Sequence, residues 1–64
     1  MATNFRLKAA RVLRGLTQLA LAEKLGMKEH EVSQLETGRA RARQDVKRRI
    51  AEVLGKPTFE IFEA

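Results

Sequence analysis

The sequence predicts an all-α domain of five short helices. Apolar residues recur at the three- and four-residue spacing of a helix, the alternation typical of strands is absent, and a glycine closes each of the first four helical segments. The 64 residues have room for one compact domain over 1–64, whose core is only just large enough for independent folding.

The predicted helices occupy residues 4–14, 18–25, 28–37, 44–54 and 58–62. Thr17 is a good N-cap for the second helix, where Leu16 and Leu21 have the spacing of a hydrophobic staple. Pro57 prevents the fourth helix from continuing beyond Gly55. The residues that share one face of each predicted helix are, in chain order, Leu7, Ala10, Arg11 and Arg14, then Leu21, Ala22 and Leu25, then Val32 and Leu35, then Val46, Ile50, Val53 and Leu54, and finally Ile61 and Phe62.

The chain is basic, with a net charge of +5 and a pI of about 10.5. Six of the thirteen Lys and Arg residues lie between Arg39 and Arg49, opposed only by Asp45, and this clustering favours phosphate neutralisation over a merely solvated surface. The absence of cysteine excludes a thiolate metal site and fits a reducing compartment. Residues 1–7 lack the apolar stretch of a signal peptide and no run is long enough to span a bilayer, so we expect a soluble cytoplasmic protein.

The second and third predicted helices are separated by only a few residues around Gly26, which is the arrangement of a helix-turn-helix. Specific residues lie around this turn and beyond it: GLTQ at 15–18, LAEKLG at 21–26, VSQLETG at 32–38, IAEVLG at 50–55, Pro57 and EIF at 60–62. Over residues 5–62 the chain therefore resembles the Xre or Cro-like family of phage and bacterial repressors. The resemblance implies a five-helix phage-repressor-like DNA-binding domain, with the third helix in the major groove of double-stranded DNA, and usually a dimer on a pseudo-palindromic operator.

The resemblance also implies which side chains contact DNA. Gln18 matches the family's glutamine beside the DNA backbone, although it could simply be a tolerated exposed residue. Thr17 caps the same helix and leaves neighbouring amides free for a phosphate oxygen. Glutamine can pair with adenine, and glutamate can accept from cytosine N4. The outward residues of the third helix that we assign to the DNA surface are Lys28, Glu29, His30, Ser33 and Gln34.

Acidic side chains are unusual on such a surface. Glu29 is either a base-reading residue or a carboxylate placed to favour the dipole of the helix's first turn. Glu31 is interpreted as a structural or flanking residue. The family commonly has a hydroxyl residue at position 31 and a Ser or Thr cap at position 28, so both positions depart from its pattern.

The basic segment after Gly38 corresponds to the part of the family that lies against phosphates beside the recognition helix. Arg39, Arg41 and Arg43 are predicted to contact the DNA backbone. For residues 47–49, which are Lys47, Arg48 and Arg49, we favour a solvated helix face over phosphate contact.

Arg11 and Glu36 are not counted as DNA ligands. They match a family pair in which an arginine of the first helix meets the glutamate at the end of the third, so they are predicted to form a structural ion pair. His30, the only histidine, has no ligand cluster and forms no nucleophile motif with Ser33 and Asp45. We therefore predict no enzyme activity, no metal and no cofactor.

The first helix carries a second apolar stripe, Phe5, Ala9, Val12 and Leu13, and Leu19 is apolar where the family is usually polar. We favour coverage of this stripe by Phe59 or Phe62. The alternative is a binding surface, on Phe5, Val12, Leu13 and Leu19, for a second copy or another protein. Because self-contact in the family often uses the chain end, Phe59, Ile61 and Phe62 are candidates for either the core or a dimer interface.

Two functional classes remain open. The first is a sequence-specific transcriptional regulator without a sensor domain, a repressor or an activator, that acts as a homodimer; of the two roles we favour the repressor. The second is a protein-interaction module, such as the antitoxin of a toxin–antitoxin pair, in which DNA binding is secondary.

Overall fold

The computed structural model describes residues 3–62, which form five α-helices: α1 (Phe5–Leu13), α2 (Gln18–Leu25), α3 (Glu29–Thr37), α4 (Gln44–Leu54) and α5 (Thr58–Ile61). The all-α prediction is confirmed, with the bounds of α2 and α4 as expected and the other helices one residue shorter at one or both ends. The predicted domain, residues 1–64, also includes residues 1, 2, 63 and 64, which lie outside the described part. The N-terminal segment that lacks a signal-peptide pattern, residues 1–7, likewise includes residues 1 and 2. No helix between residues 3 and 62 is long and apolar enough to cross a membrane.

Local chemistry explains where the helices begin and end. The Thr17 hydroxyl accepts a hydrogen bond from the Ala20 amide at 3.0 Å, which confirms the predicted cap of α2. Gly26 ends α2 with φ of 69°, a left-handed conformation that costs glycine little. The chain then turns within two residues into α3, where the Glu31 carboxylate accepts from the Lys28 amide at 2.8 Å. This contact confirms the structural interpretation of Glu31.

The core lies where all five helices meet. α2 packs against α3 and α4, while α1 packs against α3 and α5. Val46, Val53 and Phe62 lie half-buried at its edge. The buried apolar residues are Leu7, Ala10, Leu21, Ala22, Leu25, Val32, Leu35, Ile50, Ala51, Leu54 and Ile61.

Arg14 and Ala51 depart from the faces that the helical spacing indicates. Arg14 is exposed because α1 ends before it, and its guanidinium lies beside Gly55 at the C-terminal end of α4. Ala51 is buried, although a single small residue adds little to an apolar pattern.

Asn4 joins three helices at the start of α1. Its Oδ1 accepts from the Leu7 amide at 2.9 Å, and its Nδ2 donates to the Ile61 carbonyl at 3.0 Å. Its backbone amide donates to the Glu36 carbonyl at 2.8 Å. This one residue therefore caps α1 and ties it to the ends of α3 and α5.

A buried ion pair links α1 to α3. Arg11 Nε lies 2.5 Å from Glu36 Oε2, and Arg11 Nη2 donates to Glu36 Oε1 at 3.3 Å. The two residues are only 8% and 3% exposed. Arg11 Nη1 also donates to the Leu16 carbonyl at 2.7 Å, and the Gln18 amide donates to Glu36 Oε1 at 3.0 Å. Both charges thus have additional hydrogen-bond partners, which a buried pair requires.

The favoured coverage of the α1 stripe is wrong. Phe5 is 72% exposed, Val12 56% and Leu13 77%. Phe59 is itself 65% exposed, while Phe62 packs at the core edge under the Lys47 ammonium, 5.7 Å from its ring centre. Helix α5 has only four residues, too short to cover α1 and close the core as well.

Replacing Glu36 by alanine is expected to cost roughly 3–5 kcal/mol of unfolding free energy, because Arg11 would remain buried without its partner. Since a domain of this size has only about 3–10 kcal/mol in total, the variant should lose at least about a third of its stability, seen as a lower urea midpoint by circular dichroism, and at the low end of this range it unfolds. Glu23→Ala, which removes an exposed carboxylate from α2, is the control and should change stability by at most about 0.5 kcal/mol. A Glu36→Ala protein that keeps its melting temperature contradicts the assigned role.

Two substitutions at Asn4 separate its contacts. Asn4→Ser keeps a capping oxygen but loses the donor to the Ile61 carbonyl, and it should cost about 1 kcal/mol in urea unfolding. Asn4→Ala loses both contacts and should cost about 2 kcal/mol. Equal stabilities of the two variants would show that only one of the contacts matters.

Candidate nucleic-acid interface

Helix α3 is held to the protein by one face only. Val32, Leu35 and Glu36 are buried on that face, the first two in the apolar core and the third in the ion pair. The opposite face is free of intramolecular packing among the described residues, since its members are exposed or half-exposed. The core and the ion pair thus fix both the position and the rotation of α3.

The outer face of α3 is polar. His30 and Gln34 are exposed and Ser33 is half-buried beside them. Thr37 also lies on this face, one turn beyond Ser33 and Gln34, and is exposed. Thr37 is absent from the DNA surface predicted above, although its three-residue spacing from Gln34 places it on the same face. We use the name "α3 outer face" for His30, Ser33, Gln34 and Thr37.

The first turn of α3 is acidic. Glu29 and Glu31 are both exposed there, where carboxylates interact favourably with the helix dipole. Glu31 is engaged with the Lys28 amide, whereas Glu29 lies in the same row as Ser33, at the border of the α3 outer face. Lys28 is exposed and precedes the helix. Of these three residues, Glu29 is the one placed to contact a molecule bound against the outer face of α3.

The N-terminus of α2 lies beside α3 through Gln18. Its amide nitrogen donates to Glu36, so the side chain is half-buried and held at the junction of the two helices. One of the two amide hydrogens is used in this bond, and the second remains as a donor. Thr17 satisfies the Ala20 amide, while the preceding first-turn amides of any α-helix have no partner within the helix. This corner therefore presents hydrogen-bond donors suited to an anion.

The segment 38–43 carries arginines that all face outward. Gly38 is left-handed with φ of 80°, and the following amides of Arg39 and Ala40 donate back to the Gln34 carbonyl at 2.9 and 3.2 Å. Side chains then alternate, with Ala40 and Ala42 packed at the core edge. The three arginines between and beside them are exposed: Arg39, Arg41 and Arg43.

Neighbouring charges modify this basic segment only slightly. Arg43 lies 3.6 Å from Asp45, but both side chains are largely exposed, so the pair contributes little to stability and can open. On α4, Arg49 donates to the Leu25 carbonyl at 2.6 Å and so satisfies the end of α2. Arg48 is exposed and Lys47 lies over Phe62. The solvated face expected for residues 47–49 thus describes Arg48, whereas Arg49 has a structural contact.

Helices α2 and α3 are joined by a tight turn and form a helix-turn-helix. The polar face of α3 is exposed, and the hydrogen-bond donors of the α2 N-terminus and the arginines of segment 38–43 lie beside it. A helix-turn-helix family model matches residues 7–61. The chain belongs to the helix-turn-helix family. This match confirms the resemblance to the Xre or Cro-like group and the phage-repressor-like fold. No curated protein and no solved structure gave a significant match.

Membership of the helix-turn-helix family makes the protein, in general terms, a DNA-binding transcription regulator. The family is one of DNA-binding proteins and not of enzymes. Within residues 3–62 no group of three or more His, Cys, Asp or Glu side chains is arranged to hold a metal ion.

Arg41→Ala is expected to weaken binding to unrelated duplex sequences by the same factor, because a phosphate contact carries no sequence information. The slope of log K against log salt concentration should fall by about one unit, as one phosphate contact releases about one counterion. Fluorescence anisotropy at several salt concentrations measures both quantities. Arg48→Ala, which removes an equal charge from α4, should leave the slope nearly unchanged. A loss confined to one DNA sequence would instead assign Arg41 to base recognition.

Proposed function

We propose that this helix-turn-helix protein regulates transcription by binding a specific double-stranded DNA operator as a homodimer, with α3 in the major groove, and that it acts as a repressor. The observation that carries the proposal is the free polar face of α3, bordered on one side by the α2 N-terminus and followed by the arginine segment. We further propose that the protein acts in the cytoplasm, where such an operator would lie.

The dimensions of α3 suit the major groove. An α-helix with its side chains is about 10–12 Å across, close to the roughly 12 Å width of the groove. With α3 in this position, the α2 corner and the arginine segment would meet the phosphates that flank the groove. Contacts with the DNA backbone would then fix the register of α3 along the groove. The side chains that make these contacts are Thr17, Gln18, Lys28, Arg39, Arg41 and Arg43.

The α3 outer face would supply the specificity. Gln34 can form two hydrogen bonds with adenine, while Ser33, His30 and Thr37 offer single donors or acceptors to base edges. Glu29 would accept from a cytosine amino group, since a carboxylate beside a phosphate is repelled. We therefore expect the operator half-site to contain both an adenine and a cytosine within reach of α3.

A dimer is supported by the size of the domain. Its largest extent, 25 Å, is smaller than the roughly 34 Å between the centres of half-sites one helical turn apart, so two copies can bind neighbouring half-sites without overlapping. Ile61 is buried in its own chain and is therefore a core residue, not an interface residue. Of the two remaining candidates at the chain end, we assign self-contact to the half-buried Phe62, because the exposed Phe59 faces α1.

Binding to another protein, as in an antitoxin, is a second candidate function. It is favoured by the exposure of Phe5, Val12 and Leu13, which a purely DNA-binding monomer does not need.

Titration of labelled DNA from the gene's own upstream region against a scrambled duplex tests the leading proposal. At about 150 mM salt we expect the native duplex to bind at least about 10³-fold more tightly, with two chains per site. Gln34→Ala should lose much of this preference, about 1–3 kcal/mol, while its binding to the scrambled duplex stays the same. Equal, weak and strongly salt-dependent binding of both duplexes would reject sequence-specific regulation.

A further inference from the structure

An apolar groove runs between α1 and α5, along the border between the buried face of α1, which contributes Ala10, and its exposed side. Ala9, Leu13 and Phe59 line it, and Leu13 and Phe59 are among the most exposed large apolar residues of the described chain. We call it the α1–α5 groove. A second depression, lined by Leu16 and Val53, begins on the other side of Leu13. Leu13 thus stands between two recesses, the first mainly apolar and the second lined by both apolar and basic side chains.

The exposed side of α1 has the pattern of a packed helix face. Phe5, Ala9, Val12 and Leu13 are spaced as i, i+4, i+7 and i+8, the arrangement that normally faces a core. These residues lie on the side of α1 away from Leu7, Ala10 and Arg11, which already fill its inner face. The helix is therefore apolar on two opposite sides, and the chain itself covers only one of them.

The charges around this surface are almost entirely positive. Arg6 and Lys56 border the α1–α5 groove, and Arg14 and Lys24 border the second depression. The only acidic residue in the two linings is Glu60. A partner whose apolar residues are flanked by carboxylates would thus meet complementary charge on both sides of Leu13.

A second copy of this chain is a poor occupant. Two copies facing each other here would bring the same four basic residues together, within a molecule of net charge +5. The chain end offers a different place for self-contact, since Phe62 lies on the Lys47 side of α5 and Phe59 on the α1 side.

We propose that the α1–α5 groove and the depression beside Leu13 form a docking surface for an acidic amphipathic helix of a different protein. An amphipathic helix places its apolar face in a groove between two helices, with charged residues along the rim. Leu13 is the central contact, Ala9 and Phe59 form the groove walls, and Arg6, Arg14, Lys24 and Lys56 bind the carboxylates. This surface does not include the α3 outer face, so it works whether or not the operator proposal holds.

The probe is a synthetic helical peptide of about four turns, roughly 14 residues, with leucines spaced as i, i+4 and i+7 and glutamates beside them. It is added to the ¹⁵N-labelled full-length protein up to about 1 mM, which detects any Kd below the millimolar range. We expect amide shift changes concentrated around residues 9, 13 and 59. A peptide with lysine in place of glutamate, and one with scrambled leucine positions, should each bind at least about 10-fold more weakly.

Leu13→Asp should weaken the binding of the acidic peptide at least about 10-fold. The substitution should not unfold the protein, because Leu13 is 77% exposed. Leu19→Asp is the matched control, since Leu19 is a 49% exposed leucine on α2 that lines neither recess, and it should change the affinity less than about 2-fold. Arg41→Glu tests whether the peptide merely binds the DNA-facing arginines. A thermal melt of each variant verifies its fold.

The proposal is overturned if the acidic peptide does not bind, or if the acidic and basic peptides bind equally well. It is also overturned if Arg41→Glu abolishes peptide binding while Leu13→Asp does not. Finally, it is overturned if sedimentation shows that the free protein self-associates and that Leu13→Asp abolishes this self-association. The last result would assign the surface to a second copy. Each of these outcomes is independent of operator binding, which is measured separately with DNA.

Discussion

The buried Arg11–Glu36 pair is the constraint on which the rest of the structure depends. It fixes the rotation of α3, because Glu36 must point inward for the pair to form. The same carboxylate holds Gln18 at the start of α2, and Arg11 holds the Leu16 carbonyl in the preceding loop. A single buried interaction thus sets the position of the polar face of α3 relative to the α2 N-terminus.

The apolar core and the polar contacts have separate tasks. The core brings five short helices together, but its apolar contacts are non-directional. Asn4, Gln18 and Arg49 make directional hydrogen bonds between helices and so define the geometry more narrowly. A domain of this size depends on such contacts, because it buries too little apolar surface to rely on packing alone.

The two outward surfaces of the protein differ in chemistry. The α3 side offers polar side chains and an exposed row of arginines, which suits a hydrated polyanion. The α1 side offers leucine and phenylalanine within a basic border, which suits a partner that is itself apolar and acidic. Both surfaces are basic, yet only the second would bury much apolar area, so salt should affect binding at the two surfaces differently.

The sequence by itself determined the five helices, the cap at Thr17 and most of the core, because local spacing and glycine positions carry that information. Through its resemblance to a family it also determined the helix-turn-helix. It did not determine that Asn4 joins three helices or that Arg49 ends α2, since these contacts join residues 24 to 57 positions apart. It also left open whether the α1 stripe is covered. Only the tertiary structure decided this, because coverage depends on where the four-residue α5 lies in space.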